Sequence, residues 1–189
     1  MKYRLIAFAA LLIGAVSVVS CIDPDQTNEA IDQKNKEEIE SYLEKNPMSG
    51  VKEFEDVGNS IYIFWEVSVD TAFNREMLRL DTVKVDYTGR LLTDVIFDSS
   101  IEQVSKDNGV HNPKRKYEPI ELALSSPQMG AIPGFEYAVS LMRVGEKATV
   151  IFPSRLGYGP SNDNPRIPAN SSLIFELELF EVKKGPNHK

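Results

Sequence analysis

The 189 residues carry 28 acidic against 21 basic side chains, a formal net charge of −7 that repels phosphate backbones and disfavours nucleic-acid binding. The single cysteine, Cys21, excludes any intramolecular disulfide, and the two histidines, His111 and His188, stand in no metal-ligand spacing. The 168 residues after Cys21 suit one domain with an N-terminal extension.

Lys2 and Arg4 precede an uncharged apolar run from residue 5 to 19, followed by Ser20-Cys21. This is the pattern of a secretory signal, and the run is shorter than the ~20 apolar residues of a transmembrane helix. An uncleaved anchor is the less favoured alternative. Val18-Val19-Ser20-Cys21 resembles the lipobox of bacterial lipoproteins, although Leu three residues before the cysteine and Gly or Ala just before it are more usual. The resemblance implies diacylation of Cys21, a membrane partner reached through the lipid anchor, and a cell-envelope lipoprotein of the outer membrane, on either its periplasmic or its surface side. Each buried CH₂ of an acyl chain contributes about 0.8 kcal/mol, so several chains anchor stably. A plain secretory signal that leaves Cys21 as a free thiol is the rival reading; lipidation is favoured because no other cysteine competes for the role. Without residues 1–21 the chain has 19 basic and 28 acidic side chains, a net −9.

Residues 22–60 read as a tether and helical extension. The polar stretch 22–33 is the tether, and residues 34–45 form a helix with Ile39, Tyr42 and Leu43 on one side, ended by Asn46-Pro47 and Ser49-Gly50. Ile61 to Val67 is a dense β-branched and aromatic run, expected as a buried strand. Four later runs alternate with period two: 82–87, 119–124, 148–152 and 172–182. No helix-length connections separate them consistently, so the sheet should be largely antiparallel.

Residues 131–145, AIPGFEYAVSLMRVG, break that pattern. Phe135, Ala138, Val139 and Met142 form one helical stripe. Pro133 starts the helix, Gly145 takes the left-handed position after its end, and Glu136 and Arg143 suit the macrodipole. The fold class is therefore α+β, a curved antiparallel sheet wrapped around one short helix. Two loops exceed what a compact domain needs. Residues 100–117 are polar with a basic knot at Lys114-Arg115-Lys116, read as a solvated loop; residues 157–170 combine Gly and Pro with Tyr158 and Ile167, read as an ordered flap.

The common catalytic sets are missing. No Gly-rich loop opens a helix after a strand, no Gly-x-Ser-x-Gly occurs, and no spacing singles out a carboxylate pair. What stands out is a dispersed set of motifs in a fixed order: VDYTGRLLTDVIFDSS (85–100), IPGFEYAVSLMRVGEKATVIFPSRLGYG (132–159) and RIPANSSLIFELELF (166–180). Together they resemble the FKBP-type peptidyl-prolyl cis/trans isomerases, the rapamycin-binding immunophilins, over about residues 80–183, within a domain set at 61–185.

The resemblance implies an FKBP-like fold, an enzyme needing neither cofactor nor metal, proline-containing polypeptide substrates and rapamycin-type ligands. It implies a prolyl pocket with Asp98, Tyr158 and Phe97 as catalytic residues. Tyr87, Ile120, Ile132, Phe135, Ile167 and Phe175 would bind substrate, with the Ile132 N–H holding a carbonyl and Phe135 as the floor under the proline ring. Phe135 stands where most members have Trp, Ile120 where Phe is frequent, Asp94 at a turn position commonly Gly, and Asn170 in place of a frequent His. Any one of these aromatic residues taken alone is more simply a core residue; their joint occurrence points to a site. The expected function is isomerisation of X–Pro bonds in exported chains. The rival is a non-catalytic envelope chaperone or adaptor module of the same fold.

Overall fold

The computed structural model describes residues 27–69 and 77–188. The signal-like stretch, Cys21 and the first tether residues lie outside them. Among the described residues no helix is long and apolar enough to cross a membrane.

The alternating runs become strands of one sheet: β1 (Lys52–Asp56), β2 (Ile61–Val67), β3 (Thr82–Leu91), β4 (Ile96–Ser99), β5 (Ile120–Ala123), β6 (Lys147–Phe152) and β7 (Leu173–Lys183). Their order is β1-β2-β6-β7-β3-β4, with β5 pairing β3 beside β4, and every pairing is antiparallel. β3 and β7 form the spine, paired from Thr82↔Lys183 to Leu91↔Leu173. A register shift at Lys84/Val85 leaves Phe180 outside the ladder, and a bulge of this kind increases local twist. The twist curls the sheet around the helix α3 (Pro133–Ser140).

α3 forms where Pro133 presets the first helical φ and Phe135, Ala138, Val139 and Met142 meet the sheet, all buried. Gly134 sets the depth: a Cβ there would stand 2.5 Å from the Phe152 ring. The helix is shorter than its apolar stripe suggests. It stops at Ser140 with Leu141 as cap, and Gly145 (φ +89°) belongs to the turn into β6, its N–H donating to Leu179 O at 2.7 Å. Arg143 therefore lies beyond the helix end and does not complement its dipole. The cause is the buried Glu146, whose carboxylate accepts from Arg143 N, Trp65 Nε1, Ser68 Oγ and Val69 N and pulls the chain into a turn. Such a carboxylate tolerates burial because its lone pairs are satisfied.

The opposite face of the sheet is covered by α1 (Asn28–Lys45). Tyr62, Ile151 and Ile174 alternate with the core-facing Ile61, Val150 and Phe175, so they point the other way and receive Ile39. Here the structure corrects the tether: the helix starts six residues before Lys34, capped by Thr27, whose Oγ1 accepts from Ala30 N at 3.2 Å. The polar loop 100–117 is corrected too, since it contains the short helix α2 (Glu102–Asp107).

Candidate functional site: an aromatic cavity at the open end of the sheet

Four strands and α3 deliver side chains to one cavity of about 510 Å³. β3 supplies Tyr87, β4 supplies Phe97 and Asp98, β5 supplies Ile120, and β7 supplies Phe175. Residues 130–133 and Phe135 close the helix side, and Tyr158 overhangs from the 157–170 segment. Phe175 is the hub. Its ring lies 5.3 Å from Phe135, 5.6 Å from Phe97 and 6.0 Å from Tyr87, all edge-on or tilted, and it stacks on Phe152 at 5.8 Å. Edge-to-face contacts of this kind hold ring positions more tightly than area burial alone. Gly89 permits the arrangement, for a Cβ there would lie 2.5 Å from the Phe97 ring and 2.9 Å from Phe175.

The rim is polar and ordered. Asp98 accepts from the Tyr87 hydroxyl, from Arg115 Nη1 at 2.6 Å and from Ser99 N at 2.9 Å. Arg115 Nη2 also donates to Tyr87 Oη at 3.0 Å, and its guanidinium lies 5.9 Å from the Tyr87 ring and 5.3 Å from that of Tyr117. Burial, with help from the Asp98 acceptor, pushes the Tyr87 phenol well above its ordinary pKa, so it remains a donor. Burial opposes the charge on Arg115, but its contacts with Tyr87 and Asp98 outweigh this and raise its pKa. Burial and the nearby Asp98 charge likewise raise the pKa of Tyr158, which packs edge-on against Phe97 at 6.5 Å.

Two residues lining the cavity carry donors without a partner among the described residues: the Ile132 N–H and the Tyr158 hydroxyl. The first follows from the local chain. Ile132 precedes Pro133 and is extended (φ −63°, ψ 147°), while Glu136 reaches back to accept from Ala131 N at 2.8 Å and Ser125 N at 2.9 Å. Residues 125–131 are thus pinned to the start of α3, and the next N–H is left without an acceptor among the described residues.

The structure gathers eight of the nine substrate or catalytic candidates at this cavity. Ile167 is the exception: it is buried in the core beneath the 157–170 segment and does not line the wall. Arg115 is a rim residue that the sequence pattern does not mark. The loop around it is not simply solvated, because its guanidinium finds partners 17 and 28 residues away, a separation that no local pattern reveals. Gly130, Ala131 and Pro133 also line the cavity. A wider groove of about 640 Å³ lies between α1 and residues 91–93 and 168–172, rimmed by Lys34, Glu37, Glu38 and Lys45; it lacks convergent aromatic rings.

Residues 74–180 match the family model described as FKBP-type peptidyl-prolyl cis-trans isomerase. The chain is 38% identical over 104 residues to the FKBP-type 22 kDa peptidyl-prolyl cis-trans isomerase of Escherichia coli, covering 55% of this chain and 42% of that protein. It is 47% identical over 105 residues to the short-type peptidyl-prolyl cis-trans isomerase of Methanocaldococcus jannaschii, covering 56% of this chain and 64% of that one. It thus spans less than two thirds of either relative's length. Among solved structures, FkpA from Escherichia coli is similar with a TM-score of 0.57 and 26% identity, over 84% of this chain and 63% of that one. A peptidyl-prolyl cis-trans isomerase from Pseudomonas syringae shares the fold with a TM-score of 0.56 and 24% identity, over 85% of this chain and 98% of that one.

Proposed function

Because the chain belongs to the FKBP-type peptidyl-prolyl cis-trans isomerase family, we propose that it catalyses rotation about X–Pro bonds in the cavity built around Phe175. Rotation about an amide faces a barrier of roughly 18–20 kcal/mol because resonance is lost at the perpendicular geometry. No bond breaks, so neither a nucleophile nor a general base is required. The protein need only bind the twisted imide better than either planar isomer.

The side chains suit that task. A twisted imide has a less polar carbonyl than a planar one, and rings of Tyr87, Phe97, Phe135 and Phe175 offer an apolar surround. Phe135 forms a flat floor for the proline ring, T-shaped to Tyr87 at 5.8 Å. The Ile132 N–H and the Tyr158 hydroxyl are donors for flanking substrate carbonyls. Asp98 holds the Tyr87 hydroxyl and Arg115 in place at the mouth. Favouring the twisted form by about 5 kcal/mol accelerates rotation on the order of 10³–10⁴.

The observation that carries this reading is the meeting of four aromatic rings with two unpartnered donors and one anchored carboxylate on a single cavity. The signal-like sequence of residues 1–21 and Cys21 support a membrane-tethered form that acts on exported chains. A protease-coupled assay on a proline peptide tests the chemistry. Relaxation faster than the spontaneous tens to hundreds of seconds, and blocked by a rapamycin-type ligand, is expected. A folded sample that leaves the spontaneous rate unchanged overturns the proposal and leaves a binding module.

A further inference from the structure

Asn35 is a polar residue on the buried face of α1, one turn before Ile39 and only 1% exposed. A buried amide is costly unless both its ends are satisfied. Both are, and by backbone far away in sequence. Its Oδ1 accepts from Ser154 N at 2.8 Å, and its Nδ2 donates to Asn170 O at 3.0 Å.

Ser154 and Asn170 bracket the segment that carries Tyr158. Between them the segment is closed on itself: Gly159 N donates to Ser154 O at 2.9 Å, and Asn170 N donates to Gly159 O at 2.7 Å. Asn170 itself holds a left-handed φ of +59°. That conformation is sparsely populated for residues other than glycine and persists only where the surroundings enforce it. The same helix adds a second grip through Asp32, whose carboxylate lies 3.3 Å from Arg155 Nε. One side chain from the N-terminal helix therefore ties together both feet of the flap. Tyr158 adjoins Gly159, where these closures meet, and reaches the cavity and its contact with Phe97.

We infer that Asn35 is a positioning residue for the isomerase site: by joining Ser154 to Asn170 it holds Tyr158 over the cavity, so that α1 acts on substrate binding from the opposite side of the sheet. The inference rests on the isomerase reading for its kinetic consequence but not for its structural one.

The test uses the protein with its N-terminal helix intact and an Asn35→Leu substitution, which keeps the volume and removes both hydrogen bonds. Amide hydrogen exchange should quicken by about tenfold at Gly159 and Asn170 while β3 and β7 amides stay protected. KM for a proline peptide should rise about three- to tenfold with kcat nearly unchanged, as expected when binding rather than chemistry is loosened. Should the wild-type protein show no isomerase activity, the functional reading fails and exchange alone decides the coupling. If Asn35→Leu does not fold, Asn35→Asp replaces it. That variant keeps an acceptor for Ser154 and loses the donor to Asn170, so exchange should quicken at Asn170 and Gly159 but not at Ser154. Flap exchange at the wild-type rate in a folded variant, or exchange quickened equally in the flap and in β3 and β7, overturns the inference.

Discussion

Arg115 Nη1 lies 2.6 Å from Asp98 Oδ1, joining a loop that follows α2 to the mouth of the aromatic cavity. The pair is partly exposed, so its effect on folding is small, on the order of 0–1 kcal/mol. Its effect on the site is larger because Tyr87 is bonded to both members. Three groups form a closed triangle, and removing one costs each of the other two a partner while leaving the bond between them.

Asp98→Ala leaves the Tyr87 hydroxyl without its acceptor and Arg115 without its counter-charge. We expect kcat/KM to fall by about 10- to 100-fold, which corresponds to about 1.4–2.7 kcal/mol of lost transition-state binding. Arg115→Ala keeps the Tyr87–Asp98 bond and should cost less, about three- to tenfold, with an unfolding midpoint close to wild type. Stopped-flow isomerisation and urea unfolding on the same samples separate the two effects. An Arg115→Ala protein as impaired as Asp98→Ala would show that the guanidinium acts on substrate directly.

Gly89→Ala and Gly109→Ala form a matched pair. At Gly89 a Cβ would meet the Phe97 and Phe175 rings at 2.5–2.9 Å, and the rings have little room to retreat. At Gly109 nothing stands within 4 Å, and only the φ of +68° resists a side chain. Gly89→Ala should destabilise by about 1–3 kcal/mol and depress isomerisation by shifting the cavity wall. Gly109→Ala should cost about 1 kcal/mol and leave turnover unchanged. Equal activity in the two variants would mean that ring positions around Phe175 do not govern catalysis.

Much of this arrangement is legible in the residues because it follows from periodicity. Val83 and Val85, or Leu173, Phe175, Leu177 and Leu179, alternate because one face of the sheet is buried. The stripe through Phe135 and Met142 exists because α3 has one apolar side. Legibility ends where burial and polarity part company. β1 is an edge strand of sequence KEFED, paired only with β2, and its charges disguise it. The first turns of α1 show no stripe because the residue they bury is Asn35. Arg115 and Asn35 both owe their roles to partners brought near by the fold, and local sequence has no means of recording them.

Ile39 tests whether α1 is part of the domain or an appendage. It is fully buried against Tyr62, Ile151 and Ile174 on the face opposite the cavity. Ile39→Ala should destabilise by about 2–5 kcal/mol, the range for deleting a buried aliphatic side chain. A single cooperative urea transition at a lower midpoint is expected. A change under 1 kcal/mol would show that the helix detaches at little cost, and would weaken the route from Asn35 to the flap.

Asp81 links the end of the chain to the start of β3 and makes stability depend on pH. It is buried and accepts from Gly185 N at 2.7 Å, from Leu78 N at 2.9 Å and from His188 Nε2 at 2.7 Å. Burial alone would raise its pKa, but the two backbone donors and then His188 prevail and hold it below the ordinary carboxylate value. The folded protein therefore binds the Asp81 proton less readily than the unfolded chain, whose Asp pKa is about 3.9. The stabilisation is complete above that value and is lost as pH falls through the lower, folded-state one. Thermal midpoints measured from pH 6 down to pH 2.5 should decline below about pH 4. In Asp81→Asn the protein should be less stable at pH 6, because the charge-assisted bonds are gone, and the decline should be shallower. An acid limb as steep in Asp81→Asn as in the wild type would assign the loss to other carboxylates and leave the tail clasp independent of pH in this range.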